Sequence, residues 1–251
     1  QGRDLIAGDN ADLLFTNGRV TSLTTTDVSE ATGGGDTIDA GDGDNIVLGG
    51  VGADTITGGS GNDFILGDNG RFTLTAAGVL TYATTADVTL GGDDTITAGA
   101  GNNVILGGSG SDTITTLDGA DIILGDNGSF TYTDGGILTL ATTSDASVGG
   151  ADNIDAGDGD NYILGGAGGD TITSGDGNDT ILGDFGKIAY TGAGVITEAV
   201  TTDVDQGGDD IIRAGDGDNV ILGGFGYDVI ISGQGRDLIA GDNADLLFTN
   251  G

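Results

Sequence analysis

The sequence predicts an all-β parallel solenoid, two sheets of very short strands, with a β-hairpin insert about every 58 residues. Three observations predict it. A glycine-rich motif recurs on a nine-residue beat, best seen at Gly49-Gly50-Val51-Gly52-Ala53-Asp54-Thr55-Ile56-Thr57 and resumed at once from Gly58 to Leu66. The marker Gly-Asp-Asn returns at Gly8, Gly67, Gly125 and Gly241, with Gly183-Asp184-Phe185 as a variant, at spacings of 59, 58, 58 and 58 residues. Residues 1–18 and 234–251 are identical, an offset of 233. Periods of this kind belong to stacked repeats in which each unit buries its apolar face against the next.

Each nonapeptide reads as a glycine loop ending in Asp or Asn, followed by a three-residue strand. In the first unit the strands are Thr37-Ile38-Asp39, Ile46-Val47-Leu48, Thr55-Ile56-Thr57 and Phe64-Ile65-Leu66. The later units place Ile96, Ile105, Ile114, Ile123, Ile154, Ile163, Ile172, Ile181, Ile212, Ile221, Ile230 and Ile239 at the strand centres. A strand's middle side chain points opposite to its neighbours, so these residues build the core. Glycine every few residues turns the chain too often for helices. Two nonapeptides per coil, stacked about 4.8 Å apart, give a rod of about 40 Å over the four units. The whole of 1–251 is expected to be a single continuous solenoid, with units at about 8–66, 67–124, 125–182 and 183–240, and 241–251 restarting the block. The missing initial Met and the exact restart suggest a window on a longer array.

Odd strands are mostly Thr-Ile-Thr, whereas even strands read Ile-Val-Leu, Phe-Ile-Leu, Val-Ile-Leu, Ile-Ile-Leu and Tyr-Ile-Leu. The even sheet is therefore apolar on both faces and needs a cover. One candidate is the insert, where Phe72 to Thr75 and Val79 to Thr84 alternate about a glycine turn, the signature of a hairpin. Its counterparts contain Phe130, Tyr132, Leu138 and Leu140, then Ile188 and Tyr190, and Leu13 and Phe15 before Asn17-Gly18. A neighbouring rod is the equal alternative.

Composition narrows the chemistry. Forty acidic residues against six basic ones leave a net charge of −34, and only Glu30 and Glu198 are Glu. The acid is Asp on a regular beat, not the blocks of a disordered tail. Such a surface repels nucleic-acid phosphates and anionic membranes and attracts multivalent cations. No stretch is long and apolar enough for membrane insertion as a helix. With no His or Cys in the chain, zinc and copper sites and thiol catalysis are not expected, and the segment reads as no enzyme. Glycines that reach positive φ turn carbonyl oxygens toward one point, and Asp adds a carboxylate; loops stacked on one edge then supply the six to eight oxygens that calcium takes. A role in turn formation alone would not require carboxylates stacked against one another.

At these loops the sequence resembles the repeats-in-toxin (RTX), hemolysin-type family of secreted bacterial proteins, with the nonapeptide Gly-Gly-x-Gly-x-Asp-x-aliphatic-x repeated over about two thirds of the chain. The resemblance implies a right-handed parallel β-roll, multiple Ca2+ ions between adjacent coils, and calcium-triggered folding after type I secretion. It implies carboxylate ligands at the sixth loop position, here Asp4, Asp54, Asp63, Asp112, Asp121, Asp170, Asp179, Asp228 and Asp237. Two departures stand out. The second nonapeptide of each unit carries Asn45, Asn103, Asn161 or Asn219 at that position, with Asp42, Asp44, Asp158, Asp160, Asp216 and Asp218 nearby. The hairpin splits the first loop of each unit, leaving Asp36, Asp94, Asp152 and Asp210 beside an incomplete glycine frame that Asp68, Asp126, Asp184 and Asp242 are placed to complete. About twelve to sixteen divalent ions would nearly balance the net charge of −34.

Together these readings predict a calcium-rigidified structural segment of an extracellular, secreted or cell-surface bacterial adhesin or biofilm matrix filament, continuing or stacking end to end. Two alternatives remain. One is an ice- or ligand-binding module using the ladder Thr55, Thr57, Thr95, Thr97, Thr113, Thr115, Thr171 and Thr173, which Asp39, Asp155, Arg213 and Val229 interrupt. The other is the calcium-dependent folding tail of a secreted enzyme. A Thr-rich face is also simply favourable in a strand. Thermal hysteresis of a concentrated solution separates the ice-binding reading from the rest: freezing-point depression beyond the colligative value is its expected sign, and none removes it.

Overall fold

A computed structural model describes residues 2–27, 29 and 31–248. Gln1, Val28, Glu30 and 249–251 lie outside the described residues, so the restart at 241–251 is seen only as far as Phe248. Every regular element among the described residues is a β-strand. No helix among them is long and apolar enough to cross a membrane.

The strands form a parallel β-roll. The even strands make one nine-stranded sheet and the odd strands an eight-stranded sheet, and both are parallel throughout. The register repeats without slippage at the strand centres: Ile96 lies beside Ile114 and Ile56, and Ile105 beside Ile123 and Ile65. Stacking like on like follows from the nine-residue beat, because a one-residue slip would turn each Ile outward. A coil closes after 18 residues, or after 40 when it carries a hairpin, and the two alternate to give the 58-residue period.

Between the two sheets lies a dry interior of strand-centre residues: Ile56, Ile65, Ile96, Ile105, Ile114, Ile123, Ile163, Ile172, Ile181, Ile212 and Ile221 are fully buried, whereas Ile230 is only partly buried and Ile239, expected in the core, is exposed because no further coil stacks over it here. Burying each contributes about 1.5–3 kcal/mol. Small residues that open the next loop, Ala40, Ala98, Ala156 and Ala214, complete this layer. The outer face of the odd sheet is exposed, with Thr55, Thr57, Thr95, Thr97 and Thr113 projecting from it.

The even sheet is covered from within the chain. Each insert is a hairpin, and the hairpins pair with one another in antiparallel fashion into a third, nine-stranded sheet. Of the two covers open to the sequence, the structure uses the insert. Leu48, Leu66, Leu106, Leu124, Leu164 and Leu182, the outward third residues of the even strands, pack against Phe72, Leu80, Phe130, Ala141, Ile188 and Ala199 of the hairpins. This is a second core, separate from the first.

Local sequence explains how the hairpins sit. Asn17 and Gly18, both at positive φ, make the two-residue turn of the first, as Asn-Gly does when strands twist to the right. The others close on Gly78, Gly136 and Gly194 at φ near 80°. Each ends in a Thr whose hydroxyl accepts from the first amide of the following hairpin: Thr25 from Gly70 N–H, Thr85 from Gly128 N–H and Thr143 from Gly186 N–H, at 2.9–3.1 Å. That hydroxyl sews neighbouring hairpins together at their base.

Phe130 is fully buried between the even sheet and the hairpin sheet. Phe130→Ala is expected to destabilise the folded chain by about 3–5 kcal/mol in urea denaturation, whereas Thr113→Ala on the exposed face is expected to stay within about 0.5 kcal/mol.

Candidate metal-binding edges

The loops fall on two edges of the roll, and at both the sixth residue makes the same bond. Its Oδ1 accepts the backbone N–H of the sixth residue one coil earlier. On the edge where the chain leaves the even sheet, the ladder is Asp36, Asp54, Asp94, Asp112, Asp152, Asp170, Asp210 and Asp228, with N···O distances of 2.7–3.0 Å. On the opposite edge it is Asp4, Asn45, Asp63, Asn103, Asp121, Asn161, Asp179, Asn219 and Asp237, at 2.7–3.1 Å. One edge is thus all Asp, and the other alternates.

The split loops have complete frames. Gly67 before the hairpin and Gly92 after it occupy the places that Gly107 and Gly110 fill in an unbroken loop: Gly92 sits against Gly52 below and Gly110 above. The incompleteness expected from the sequence disappears, because the hairpin leaves and re-enters at adjacent points. Asp68 fastens the gap. Its Oδ1 accepts from Gly92 N–H at 3.1 Å, and its Oδ2 accepts from Ser109 N–H of the next coil at 2.5 Å. Asp126 takes Gly150 and Ala167 in the same way, and Asp184 takes Gly208 and Phe225. A Cβ on Gly108, which stands at φ 119°, would run into the Asp68 carboxylate, so glycine is required there.

Asp9, within the first Gly-Asp-Asn marker, does part of this work by accepting from Val51 N–H at 2.6 Å, and its place in the marker is the signal that identifies it. Asp27 closes the base of the first hairpin by accepting from Asn10 N–H at 2.8 Å and Asn10 Nδ2 at 2.9 Å; it stands outside the glycine beat. Asp242 and Asp4 lie exposed in the outermost coils. Asp42, Asp44, Asp158, Asp160, Asp216 and Asp218 do not converge on the Asn residues. They form an outer ladder, accepting loop amides such as Ser60, Asn62 and Asn178 from the next coil.

The second carboxylate oxygen decides what the edges can hold. On the all-Asp edge the Oδ2 atoms of all eight ladder residues are buried and meet no donor. Each stands over the first glycine of its own loop beside a carbonyl oxygen of the next coil: a Cβ on Gly107 would meet both Asp112 Oδ2 and Gly125 O, and one on Gly165 both Asp170 Oδ2 and Gly183 O. Oxygen faces oxygen. Among the described residues no three acidic side chains gather at one point, so an ion on this edge would take most of its ligands from backbone carbonyls. That donor set, hard oxygen throughout with no nitrogen or sulfur, fits calcium.

Electrostatics agree. Carboxylates one coil apart, about 4.8 Å, repel by about 3 kcal/mol per pair at an effective dielectric of 20. Burial, reinforced by neighbouring carboxylates, pushes the Asp94 and Asp170 carboxyls up to about 10, Asp210 to about 8 and Asp54 to about 7. Asp152 is raised well above the ordinary range by the same causes. On the alternating edge, Asp63 and Asp121 rise only to about 6, mainly from burial, with hydrogen bonds from Asn45 and Asn103 working against it.

The family model of the RTX calcium-binding nonapeptide repeat (4 copies) matches residues 24–56, 39–71, 88–123, 101–129, 148–186 and 206–239, more than half of the chain. No curated protein matches the chain.

The raised carboxyls set a pH dependence when divalent cations are absent. Each binds its proton more tightly folded than unfolded, so its contribution to stability is full below about 3.8 and is lost as pH rises through about 6 to 10. In EGTA the β signal in circular dichroism is expected to persist near pH 4 and to disappear by pH 8. Gly108→Ala, which would push against Asp68, is expected to raise the calcium concentration needed to refold the chain at pH 8.

Proposed function

Because the chain belongs to the family of RTX calcium-binding nonapeptide repeats, we propose that it is a calcium-loaded structural segment of an extracellular bacterial protein, an adhesin or matrix filament. The observation that carries the reading is the row of eight buried Oδ2 atoms that meet only oxygen along one edge. In this reading the ladder residues Asp36, Asp54, Asp94, Asp112, Asp152, Asp170, Asp210 and Asp228 hold ions together with loop carbonyls, and Asp63, Asp121, Asp179 and Asp237 do so on the opposite edge, where Asp179 Oδ2 also accepts from the Ser174 hydroxyl at 2.5 Å. Asp68, Asp126 and Asp184 act beside them as clasps, since both their oxygens already accept amides. Cations remove the repulsion that otherwise opposes stacking, so the rod stiffens as they bind. Calcium supplies charge compensation and coordination here; the shape is the chain's own.

The filament part of the reading is supported by the equivalence of the two ends. Leu238–Ala240 has the sequence of Leu5–Ala7, and it pairs with Val220–Leu222 in parallel register. Leu246 and Leu247 correspond to Leu13 and Leu14, and they pair antiparallel with Ala199 and Glu198 of the last complete hairpin. In a continuing array the strands Leu5–Ala7 and Ala11–Thr16, each at the border of its sheet, would therefore pair with a preceding block as Leu238–Ala240 and Asp245–Leu247 pair here. All three sheets would continue from one block to the next with one register.

Circular dichroism with and without EGTA at pH 8, together with electron microscopy of the calcium-loaded chain, tests both parts. The β signal is expected to require calcium, and loaded material to form rods longer than one chain. A β signal indifferent to chelation removes the calcium reading, and short monodisperse rods count against end-to-end assembly.

A further inference from the structure

The alternating edge holds a second kind of loop. At Asn45 the side-chain Oδ1 accepts the Asp4 amide, as an Asp would, and this orients the Nδ2 amide to where the other edge has a bare Oδ2. There it donates to three converging carbonyls, Gly41 O at 2.8 Å, Gly43 O at 3.0 Å and Gly58 O at 3.1 Å. Asn103 donates to Gly99 O and Gly101 O at 3.2 and 3.0 Å. Asn161 donates to Gly157 O and Ser174 O at 3.2 and 3.0 Å, and Asn219 to Ala214 O at 3.2 Å. All four side chains are fully buried. The orientation is fixed by chemistry, since an amide N–H on one side and carbonyl oxygens on the other leave Oδ1 and Nδ2 one arrangement each.

We infer that Asn45, Asn103, Asn161 and Asn219 stand in for the cation: each side-chain amide supplies to the loop carbonyls the positive end that an ion supplies beside an Asp, so these four loops stay metal-free. This rests on the calcium reading above. It makes the roll asymmetric, with an edge that takes an ion at every coil and an edge that takes one at every second coil. The consequence is a lower calcium load than the repeat count suggests. A carbonyl cluster already bound to two N–H donors offers calcium neither a negative charge nor free lone pairs aimed at one point. The Asn loops also add no carboxylate to the stack, which leaves the Asp residues on either side two coils apart and so weakens their repulsion.

The test compares the parent chain with N45D/N103D/N161D/N219D and with the reciprocal D121N, counting bound calcium by elemental analysis after dialysis and measuring thermal unfolding in EGTA at pH 5. The quadruple variant is expected to bind about one additional ion per substituted position and to unfold at lower temperature than the parent without calcium. D121N is expected to lose about one ion and to unfold at higher temperature in EGTA, a result that does not depend on whether the quadruple variant folds. A parent that binds calcium while D121N keeps the same count and the same unfolding temperature overturns this inference alone. A parent that binds no calcium removes the calcium reading and this inference with it.

Discussion

The contact that organises this molecule is a single hydrogen bond repeated up both edges, from the backbone N–H of one sixth residue to the Oδ1 of the sixth residue in the next coil. It ties each coil to its neighbour outside the strands, on one edge together with the outer Asp ladder. Because the acceptor is a short side chain, the coils must stack in register, and a Cβ at many of the loop glycines would strike the coil beside it. The same bond commits one oxygen and leaves the other over the carbonyls. From that leftover oxygen follow the burial of charge, the raised carboxyls and the demand for a cation.

The hairpins solve a different problem at the same place. A sheet that is apolar on both faces is an aggregation surface unless covered, and the insert covers it with residues from the loop immediately next to it. Leaving at the all-Asp edge and returning to it, the hairpin cuts a loop that the ladder needs. Asp68, Asp126 and Asp184 reconcile the two requirements by joining the cut ends through their carboxylates. The second core and the loop edge are thereby linked, since the clasp that seats the hairpin also shapes the loop it interrupts.

The two edges share a backbone and differ in one atom at every second coil. Replacing Oδ2 by Nδ2 at the four Asn positions turns an oxygen cluster that lacks a positive partner into one that has it. A repeat array can in this way alternate loops whose carbonyls face a carboxylate oxygen with loops whose carbonyls accept an amide, without altering the fold.

The nine-residue beat, the aliphatic strand centres and the Asp at each loop's end determined by themselves the parallel β-roll, the two-sheet interior and the family, because local period dictates which side chains face inward and which loops stack. Phe72, Phe130 and Ile188 were legible as hairpin residues from their alternation, yet nothing local told whether the hairpins or another rod covered Leu66 and Leu106. That depended on contacts between residues far apart in the chain, and the third sheet settles it. The role of Asp68 was likewise beyond the sequence, since its two partners, Gly92 and Ser109, are brought beside it only when the hairpin closes and the next coil stacks. The difference between Asn45 and Asp54 was visible as a letter, but its meaning came from the direction of one side-chain amide toward Gly41, Gly43 and Gly58, a convergence that exists only once successive loops lie on one another.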